Sequence, residues 1–413
     1  MRKIAVVTVA RSDWGIYLPV LQCLREQKGV QVQVIVGGAH LVPQFGMTVE
    51  EIRKTGFAIV ATINFLLADD SPEAIAKSLG LGILGFAQHF QSCRPDLLLT
   101  LGDRYEMYAA ALAALPLQIP VAHIHGGELS LGAIDDAIRH SLTKLSHLHF
   151  VACQEYARRV IQLGEEPWRV IISGAPALDA IRAFTPVSPS EFHTRTGIDP
   201  GAGFLLVTYH PVTSEFSEAQ SQIRELLAAL DQFSMPILFT APNADTCNHV
   251  IRNEISLYCK TRITARYIAH CGPELYYNAM HYAAAMVGNS SSGIIEAPSF
   301  CLPVVNIGRR QEGRIRARNV IDVGYTRAEI IKGIRRALSL EFRESLRGLE
   351  NPYGDGYAGE RIANVLSSIP LDEKLLRKKF YDLPVAPDSN VHKRGFGELN
   401  MIAGEWRRIR ARG

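Results

Sequence analysis

A serine-rich loop between an apolar run and a helix-like run carries residue types that bind a nucleotide. The segment 287–298 reads VGNSSSGIIEAP, and Ser290, Ser291 and Ser292 supply hydroxyl donors. A loop of this kind before a helix binds anions, because free backbone N–H groups and the positive end of the helix dipole point at it. Glu296 follows, and a carboxylate can accept both hydroxyls of a sugar diol. The pattern favours a nucleotide site; the alternative is an ordinary strand–turn–helix with a serine N-cap.

Histidines and carboxylates in the first half of the chain could carry out acid–base chemistry. Asp103 follows the apolar run 97–101, and the segment 122–150, AHIHGGELSLGAIDDAIRHSLTKLSHLHF, is the densest in such groups. Within it, His123 and His125 lie two residues apart on a predicted strand and should share one face. Crowded carboxylates favour one protonated acid beside one ionised base. The candidate proton-transfer residues are Asp103, His125, Glu128, Asp135 and Asp136.

Each of these residues also has a purely structural interpretation. Asp103 could cap the helix predicted to start near Arg104, and the histidines could be core residues. A zinc site could be built from these groups, but their spacing matches no common zinc motif. On the following helix, two carboxylates each have a basic side chain four residues later, which is typical of surface ion pairs. These pairs are Asp135–Arg139 and Asp136–His140.

Polar residues directly after other predicted strands indicate a ligand at one edge of each sheet. Arg11 follows the first strand and can bind a phosphate through two N–H groups, or can pair with Asp13 on the surface. His210 follows the strand predicted at 204–209 and suits a charge stabiliser or a proton donor. Ligands of open parallel sheets bind at the carboxyl ends of the strands, which makes these positions candidates. Further candidates at strand ends are Arg104, Asn243 and Arg310.

Length and composition describe a chain with room for two cores and little net charge. The 413 residues suggest two domains of about 100–200 residues each, and 47% of them are hydrophobic. A net charge of +3 gives no basic field for nucleic acid, and no apolar run approaches the ~18–20 residues of a membrane span. Seven scattered cysteines without a CxxC motif fit reduced thiols. We therefore expect a cytoplasmic protein that binds neither nucleic acid nor membrane.

Short apolar runs alternate with helix-length segments in two successive arrays. Strands rich in Val, Ile and Leu without polar alternation are typical of a parallel sheet that is covered on both faces. The chain is therefore predicted to form two doubly wound, Rossmann-like α/β domains that face each other across a cleft. The predicted strands are Ile4–Val9, Val32–Val36, Ala58–Ile63, Leu97–Leu101, Val121–Ile124, Leu148–Val151, Phe204–Tyr209, Ile237–Thr240, Ala285–Val287 and Val304–Ile307. The predicted divisions are 1–180 for the N-terminal domain with the carboxylates, 181–203 for a linker, 204–367 for the C-terminal nucleotide-binding domain and 368–413 for a basic tail.

Several longer motifs, in one order along residues 1–365, resemble those of the hydrolysing UDP-N-acetylglucosamine 2-epimerase family of bacterial sialic and legionaminic acid pathways. The resemblance implies a fold like that of GT-B glycosyltransferases and a reaction without a metal or redox cofactor. It also implies that a base removes the C2 proton as UDP leaves C1, and that water then adds to the 2-acetamidoglucal to release N-acetylmannosamine. The matching segments are ARSDWG (10–15), LGDRYE (101–106), HIHGGE (123–128), DDAIRHSLTKLSH (135–147), GNSSSGIIEAP (288–298), NIGRRQEGR (306–314) and KKFYDLP (378–384).

The resemblance implies roles for individual residues as well. Ser290 and Ser291 would bind the diphosphate, and Glu296 would bind the ribose. Arg310 would lie near the nucleotide, and the backbone of Cys271 would border the uracil. Arg11 and Arg104 would contact the phosphates or the sugar. The residues that would take part in the chemistry are Asp103, the Asp135/Asp136 pair and His210.

One motif departs from part of the family. Some members carry a glutamate in HIEGGE where this chain has His125, and others share the histidine. The role of that glutamate therefore passes to Glu128 or to His125 itself. The acid–base assignment stays open between these two residues at this point.

The sequence leaves several alternatives for substrate and class. UDP-2,4-diacetamido-2,4,6-trideoxyglucose is the rival of UDP-N-acetylglucosamine, since it differs at C4 and C6, away from every motif. A non-hydrolysing epimerase and a GT-B glycosyltransferase are alternative enzymes, but no glutamate lies eight residues from Glu296, as retaining transferases commonly require. A non-catalytic nucleotide-sugar sensor would have lost Asp103 and the Asp135/Asp136 pair. We also expect a homo-oligomer, either a dimer or a tetramer.

Overall fold

The computed structural model describes most of the chain. The described residues are 1–43, 46–67, 71–131, 134–242, 248–269 and 271–384. The candidate Asn243 and the part of the predicted tail beyond residue 384 lie outside the described residues.

The first half of the chain folds around a parallel sheet that is seven strands wide among the described residues. The strands are β1 (Arg2–Thr8), β2 (Val30–Gly37), β3 (Ile59–Ile63), β4 (Leu97–Leu101), β5 (Val121–Ile124), β6 (Leu148–Val151) and β7 (Val170–Ile172). Their spatial order is β3-β2-β1-β4-β5-β6-β7. The order reverses between β1 and β4, which is where open α/β sheets bind ligands.

The second half repeats this architecture with a parallel sheet that is six strands wide in the described part of the chain. Its strands are β8 (Leu205–Thr208), β9 (Ile237–Thr240), β10 (Ala265–Ile268), β11 (Ala285–Gly288), β12 (Val304–Ile307) and β13 (Val320–Val323). The order β10-β9-β8-β11-β12-β13 reverses between β8 and β11. The prediction of two doubly wound α/β units is confirmed.

Helices follow most strands and cover both sheets, so that central strands such as β4 are buried along their whole length. Those of the first half are α1 (Arg11–Glu26), α2 (Val49–Lys54), α3 (Pro72–Ser92), α4 (Tyr105–Ala114), α5 (Ile134–Leu145), α6 (Gln154–Gln162), α7 (Ala177–Arg182) and α8 (Pro189–Thr196). The remaining helices are α9 (Ala219–Leu230), α10 (Asn248–Thr261), α11 (Gly272–Tyr282), α12 (Ser292–Ile295), α13 (Arg327–Leu338), α14 (Leu340–Ser345), α15 (Ala358–Ser368) and α16 (Glu373–Leu376). Within the described ranges, none of these helices combines the length and apolar character needed to cross a bilayer.

The strands that sequence analysis did not predict lie at sheet edges. β7 ends the first sheet, and β10 and β13 end the second. Each has partly exposed residues, because an edge strand has a neighbour on one side only. Their apolar runs are correspondingly short, and the sequence signal is weak.

Two segments pack differently from the predicted division of the chain. In α15, Ile362 and Leu366 are buried in the same core as α1, although the boundary at residue 367 had grouped this helix with the second sheet. The segment 181–203, predicted as a linker, contains α8, whose Phe192 stacks on Phe204 with ring centroids 5.6 Å apart. After the second sheet is complete, the chain therefore returns to the first sheet through α15. The domain boundaries themselves stay a prediction.

Candidate active site

Asp103 lies at the carboxyl end of β4 and is bound by side chains from two other segments. Its Oδ2 atom accepts a hydrogen bond from Arg139 of α5 and another from Ser130 Oγ at 3.1 Å. Arg139 also donates to Ser130 Oγ at 3.2 Å and to the carbonyl oxygen of His125 at 2.7 Å. The N-cap of α4 is Arg104, so the capping interpretation of Asp103 is wrong. Asp103 is instead an anchored carboxylate in the cleft.

His125 and Glu128 form a close pair directly after β5. Nδ1 of His125 lies 2.6 Å from Oε1 of Glu128, and both residues are buried. β5 ends at Ile124, and His125 has a φ of +67°, a left-handed conformation that costs a non-glycine residue about 1–3 kcal/mol. The expectation that His123 and His125 share a strand face is therefore wrong. The turn directs the His125 ring towards Glu128.

The turn depends on Gly127. Its φ is +78°, and a Cβ atom there would lie 2.5 Å from the carbonyl oxygen of Tyr156. The carbonyl oxygen of Gly127 also accepts a hydrogen bond from Arg159. A side chain at this position would displace α6 from the loop that carries His125 and Glu128.

His123 is a structural histidine of the core. Its Nε2 atom lies 2.7 Å from the carbonyl oxygen of Gly102, and its Nδ1 atom lies 3.4 Å from Thr143 Oγ1. Burial lowers the pKa of His123 to about 3, so the ring is neutral at physiological pH. It therefore holds the loop that leads to Asp103, and it carries no charge into the site.

Asp136 is engaged in local contacts. Its Oδ1 atom accepts the backbone N–H of Ser130 at 2.7 Å, and Oδ2 lies 3.6 Å from His140 Nε2. The predicted pairing of Asp136 with His140 is confirmed. These contacts fix the loop before α5, which favours a structural role for this carboxylate.

Asp135 differs from its neighbour. Arg139 forms its ion pair with Asp103, and not with Asp135 as the sequence spacing predicted. Burial, and then repulsion by Asp103, raise the pKa of Asp135. Asp103 is therefore close enough to Asp135 for their charges to interact, and burial together with this repulsion favours the protonated form of Asp135.

Arg11 and Asp13 lie at the start of α1 without contacting each other. Arg11 Nε lies 3.8 Å from Glu51 Oε2, with half of its side chain exposed. Asp13 is buried and accepts the backbone N–H groups of Val9 at 3.1 Å and Ala10 at 2.9 Å. The alternative pairing of Arg11 with Asp13 is therefore wrong. Arg11 reaches solvent at the carboxyl end of β1 and is available to a ligand.

Arg104 belongs to a second charged cluster at the same sheet edge. Its Nη2 atom donates to Oε1 of the buried Glu106 at 3.2 Å. Burial raises the pKa of the neighbouring Asp13 to about 6, although Arg104 opposes the rise. Within the described part of the chain, Arg104 Nε, Glu106 Oε2 and Arg139 Nε are buried without a hydrogen-bond partner. Unpaired buried polar atoms are costly, and their grouping here suits a polar ligand.

Asn289 organises the carboxyl edge of the second sheet. Its side chain accepts the backbone N–H of His210 at 2.7 Å and donates to the His210 carbonyl oxygen at 2.8 Å. Its own carbonyl oxygen accepts from Gln311 at 2.9 Å and from Arg310 at 3.2 Å. Burial, and then the charge of Arg310, lower the pKa of His210 well below its usual range. His210 is therefore a neutral ring beside the serine loop.

The serine loop leaves β11 through a position that only glycine can occupy. Gly288 has a φ of +143°, and a Cβ atom there would lie 1.9 Å from the carbonyl oxygen of Thr208. Beyond it, Ser292 Oγ lies 2.8 Å from Ser290 Oγ and 2.6 Å from the hydroxyl of Tyr276. These contacts preorganise the serine hydroxyls at the edge of the sheet.

The helix behind this loop is shorter than the sequence suggested. α12 spans only Ser292–Ile295, and its N-cap, Ser291, makes no capping hydrogen bond through its side chain. The alternative is therefore confirmed in the position of a serine at the N-cap, but not in a hydrogen bond from the side chain of that serine. A single turn has only a small dipole, so an anion here would depend on loop N–H groups, serine hydroxyls and Arg310.

Glu296 and Cys271 flank the serine loop. Burial raises the pKa of Glu296 to about 7, against the opposing charge of Arg314. Cys271 is half-buried at the N-cap of α11, where burial raises the pKa of its thiol to about 11. Because the thiol is neutral, the polar groups that Cys271 offers to a ligand are those of its backbone. Glu296 can therefore change its protonation state near neutral pH.

The two sheets meet at their carboxyl edges. Arg314, after β12, places Nη1 3.8 Å from Oε2 of Glu128 of the first sheet. The hydroxyls of Tyr156 and Tyr353 lie 2.9 Å apart, and Tyr353 also donates to the carbonyl oxygen of Ile315 at 3.0 Å. The serine loop and the Asp103–His125 group thus lie on opposite sides of one cleft.

Sequence reasoning missed three organising residues, namely Arg139, Asn289 and Arg314. All three lie inside the motifs quoted above, so their positions carried a signal. Their partners are 36, 79 and 186 residues away in the chain, however, and spacing alone does not reveal contacts of that range.

Comparisons with known proteins agree with this geometry. The family model described as UDP-N-acetylglucosamine 2-epimerase matches residues 22–367. The chain is 40% identical to the UDP-N,N′-diacetylbacillosamine 2-epimerase (hydrolyzing) of Legionella pneumophila, over 92% of this chain and 99% of that protein. It is 38% identical to the GDP/UDP-N,N′-diacetylbacillosamine 2-epimerase (hydrolyzing) of Campylobacter jejuni, over the same shares of the two chains.

The solved structures add a likeness of fold. The UDP-GlcNAc 2-epimerase of Neisseria meningitidis, solved with UDP-GlcNAc bound, aligns with a TM-score of 0.77 at 19% identity, covering 88% of this chain and 99% of that one. This likeness agrees with the predicted GT-B-like pair of Rossmann-like domains. The chain belongs to the UDP-N-acetylglucosamine 2-epimerase family, among relatives that are named as hydrolysing enzymes.

Proposed function

We propose that this protein is a hydrolysing UDP-sugar 2-epimerase that converts a UDP-2-acetamido sugar into UDP and the free 2-epimeric sugar. The observation that carries the proposal is the meeting of the two sheet edges. The ion pair between Arg314 and Glu128 joins the loop after β12, whose Arg310 lies beside the serine loop, to a cluster suited to proton transfer. The family membership and the names of the relatives support the same reaction.

The reaction consists of an elimination and an addition. A base takes the C2 proton, the C2–H electron pair forms the C1–C2 double bond, and the C1–O bond breaks to release UDP. Water then adds at C1 of the 2-acetamidoglucal while a proton returns to C2 on the opposite face. Two proton-transfer groups are needed, because removal and return occur on different faces of the sugar.

The structure offers two groups for these transfers. One is the Asp103–Asp135 carboxylate pair, where burial and then the charge of Asp103 favour the protonated form of Asp135. The other is the His125–Glu128 pair, in which Glu128 holds Nδ1 of the ring and leaves Nε2 for the substrate. We propose Asp135 over Asp136, because Asp136 is occupied by the backbone of Ser130.

The leaving diphosphate needs charge stabilisation as the C1–O bond breaks. Ser290 and Ser291 supply hydroxyl and loop N–H donors, and Arg310 supplies a cation beside them. His210 lies buried on Asn289 at the same edge, where a neutral ring can donate one hydrogen bond. Arg11 and Arg104 would approach the phosphates or the sugar from the first sheet.

Glu296 is proposed to accept the ribose hydroxyls. It lies behind the serine loop, where an ionised carboxylate can accept two O–H bonds. With a pKa of about 7, Glu296 is half ionised near neutrality in the free protein, and bound hydroxyls would favour the ionised form.

The proposed substrate is UDP-N,N′-diacetylbacillosamine, which is UDP-2,4-diacetamido-2,4,6-trideoxyglucose. The relatives at 40% and 38% identity are named for this sugar nucleotide. UDP-N-acetylglucosamine, the simplest substrate on sequence grounds, is the alternative. The two differ at C4 and C6 and share the C1–C2 chemistry.

The test is incubation of the purified chain with each nucleotide sugar in D2O, followed by NMR of the products. The proposal predicts free UDP and a free manno-configured sugar with deuterium at C2. Retention of UDP on the epimerised sugar would identify a non-hydrolysing enzyme, and release of a gluco-configured sugar that keeps its C2 proton would exclude epimerisation. Transfer to an acceptor would identify a glycosyltransferase.

A matched pair of variants tests the role of the carboxylate in the cleft. Asp103 follows β4, and Asp96 precedes the same strand at the opposite edge, where it accepts the backbone N–H of Lys3 at 2.7 Å. Asp103→Asn should lower turnover more than about tenfold, since a positioned proton-transfer group typically contributes about 100-fold or more. Asp96→Asn should retain turnover. Equal turnover in the two variants would remove Asp103 from the chemistry.

A further inference from the structure

Glu128 bridges a histidine of the first sheet and an arginine of the second. Its Oε1 atom lies 2.6 Å from Nδ1 of His125, and its Oε2 atom lies 3.8 Å from Nη1 of Arg314. Only 3% of the Glu128 side chain and 15% of the Arg314 side chain are exposed. The bridge is therefore shielded from water, which strengthens its electrostatic effect.

On the basis of the proposed function, we propose that Arg314 is a positioning residue that acts through Glu128 to hold His125 ready to accept a proton. Glu128 accepts the Nδ1–H bond, so that the Nε2 lone pair is available for the proton at C2. Arg314 holds the second carboxylate oxygen and so fixes the orientation of Glu128. His125 is then fully arranged only while the loops of the two sheets are in contact.

The backbone around Arg314 is built for this contact. Gly313 has a φ of +80°, and a Cβ atom there would lie 2.7 Å from Cδ1 of Leu129 in the first sheet's loop. On the other side, the carbonyl oxygen of Ile315 accepts a hydrogen bond from Tyr353 at 3.0 Å. The loop is therefore held in place on both sides of Arg314, at Gly313 and at Ile315. These contacts fix the position from which the Arg314 side chain enters the cleft.

The charges around this bridge determine the ionisation state of Glu128. Burial would raise the pKa of Glu128, but His125, Arg314 and Arg139 together lower it well below its usual range, so the carboxylate stays ionised. Arg139 also contacts the carbonyl oxygen of His125, and the neighbouring His123 is a neutral ring. Loss of Arg314 leaves Oε2 of this ionised carboxylate without its partner from the second sheet, so that Glu128 no longer holds the His125 ring in one orientation.

Asp103, Tyr156 and Glu296 are further titratable groups close to this bridge. Asp103 is bound to Arg139, and the Tyr156 hydroxyl is paired with that of Tyr353. The charge of Arg314 also acts on Glu296. The NMR signal of the His125 ring is therefore recorded beside the pH profile, so that a change at the bridge is distinguished from a change at Glu296.

The experiment compares Arg314→Gln with Arg314→Lys and with a matched control, Arg316→Gln. Arg316 lies in the same loop, but its Nε atom pairs with Asp322 of the second sheet, 2.8 Å away. The pH dependence of kcat/KM and the UDP affinity are measured for each protein. In parallel, NMR follows the His125 ring signal with pH in UDP-bound protein, with His125→Gln used to assign it.

We expect Arg314→Gln to lower kcat at least about tenfold, in the range of a lost positioning group. The pH profile of kcat/KM and the His125 ring signal should both differ from those of the original protein, because a charge beside the bridge is lost. Arg314→Lys should restore most of both properties because it restores the charge. Arg316→Gln should match the original protein.

Two results would overturn the inference. One is an Arg314→Gln protein with weaker UDP binding but an unchanged kcat and pH profile, which would make Arg314 a nucleotide ligand only. The other is an identical His125 titration in all four proteins. The NMR titration needs no turnover, so it separates failure of this inference from failure of the proposed reaction.

Discussion

Replacing Glu296 by glutamine should make the ligand-free protein more stable while weakening its binding of UDP. Burial raises the pKa of this carboxyl from 4.5 to about 7, so ionisation is more costly in the folded chain than in the unfolded one. Glutamine has nearly the same shape and carries no charge. The substitution therefore removes the cost of ionisation together with the acceptor for the ribose.

The magnitude follows from linkage between ionisation and folding. Each pKa unit corresponds to about 1.4 kcal/mol, so the rise from 4.5 to about 7 makes ionised Glu296 cost up to about 3 kcal/mol at pH 8. The contribution of Glu296 to the free energy of unfolding of the natural chain is fully present below pH 4.5. It is lost as the pH rises through 7. At pH 5.5 the expected cost is only about 1.4 kcal/mol. The advantage of Glu296→Gln should therefore grow with pH and level off above 7.

The assay is thermal unfolding of the ligand-free protein at pH 5.5 and pH 8. For a unit of about 200 residues, 3 kcal/mol corresponds to a rise in Tm of roughly 6 °C or more at pH 8, with about half that at pH 5.5. Glu341→Gln is the matched control, since Glu341 is an exposed glutamate of the same half of the chain. Calorimetry with UDP at pH 8 should show a roughly 10–100-fold weaker affinity for Glu296→Gln, the cost of losing a charged acceptor.

Two outcomes would refute this reasoning. A Glu296→Gln protein whose Tm rises equally at both pH values would show that ionisation is not the cause. A protein with higher stability and unchanged UDP affinity would show that Glu296 is buried for another reason and does not hold the nucleotide.

Three further predictions concern the remaining contacts. Asp103→Asn should keep UDP affinity within about twofold while UDP release falls more than about tenfold, measured by calorimetry and a coupled UDP assay. Gly288→Ala should give little soluble folded protein, because its methyl group would lie 1.9 Å from the Thr208 carbonyl oxygen; solubility and circular dichroism report this. Tyr353→Phe should lower stability by about 1 kcal/mol, measured by urea unfolding, through loss of the hydrogen bonds to Tyr156 and Ile315.

Matched controls separate these effects from general damage. Gly80→Ala changes a glycine of α3 that has open space around it, and the substitution should be neutral or slightly stabilising. Tyr381→Phe keeps the backbone hydrogen bond to Gly164 and should leave stability unchanged. A Gly288→Ala protein as soluble as Gly80→Ala would contradict the steric argument.

The fold was predictable because its central strands consist of uninterrupted runs of apolar residues. β4 and β5 were located to the residue, since a strand buried on both faces tolerates few polar side chains. β7, β10 and β13 were missed because edge strands are only partly covered. The packing of α15 in the first core was also missed, since the apolar face of an amphipathic helix does not indicate which of two sheets it contacts.

The candidate site was predictable as a set of residues but not as a set of contacts. Sequence spacing suggested that Arg139 pairs with Asp135 one turn away, whereas the folded chain brings Asp103 to it from another strand. The left-handed conformation of His125 was likewise invisible, because nothing in the residue type demands it.

The sequence by itself identified the residues that we propose for the chemistry of this protein. The motifs named the serine loop, the carboxylates and Glu296, because local chain geometry suffices to place such groups at strand ends. Only the tertiary structure decided how they are paired. Long-range packing put Arg139 on Asp103, anchored His210 on Asn289 and brought Arg314 to Glu128, and these contacts depend on the relative position of strands that are distant in the chain.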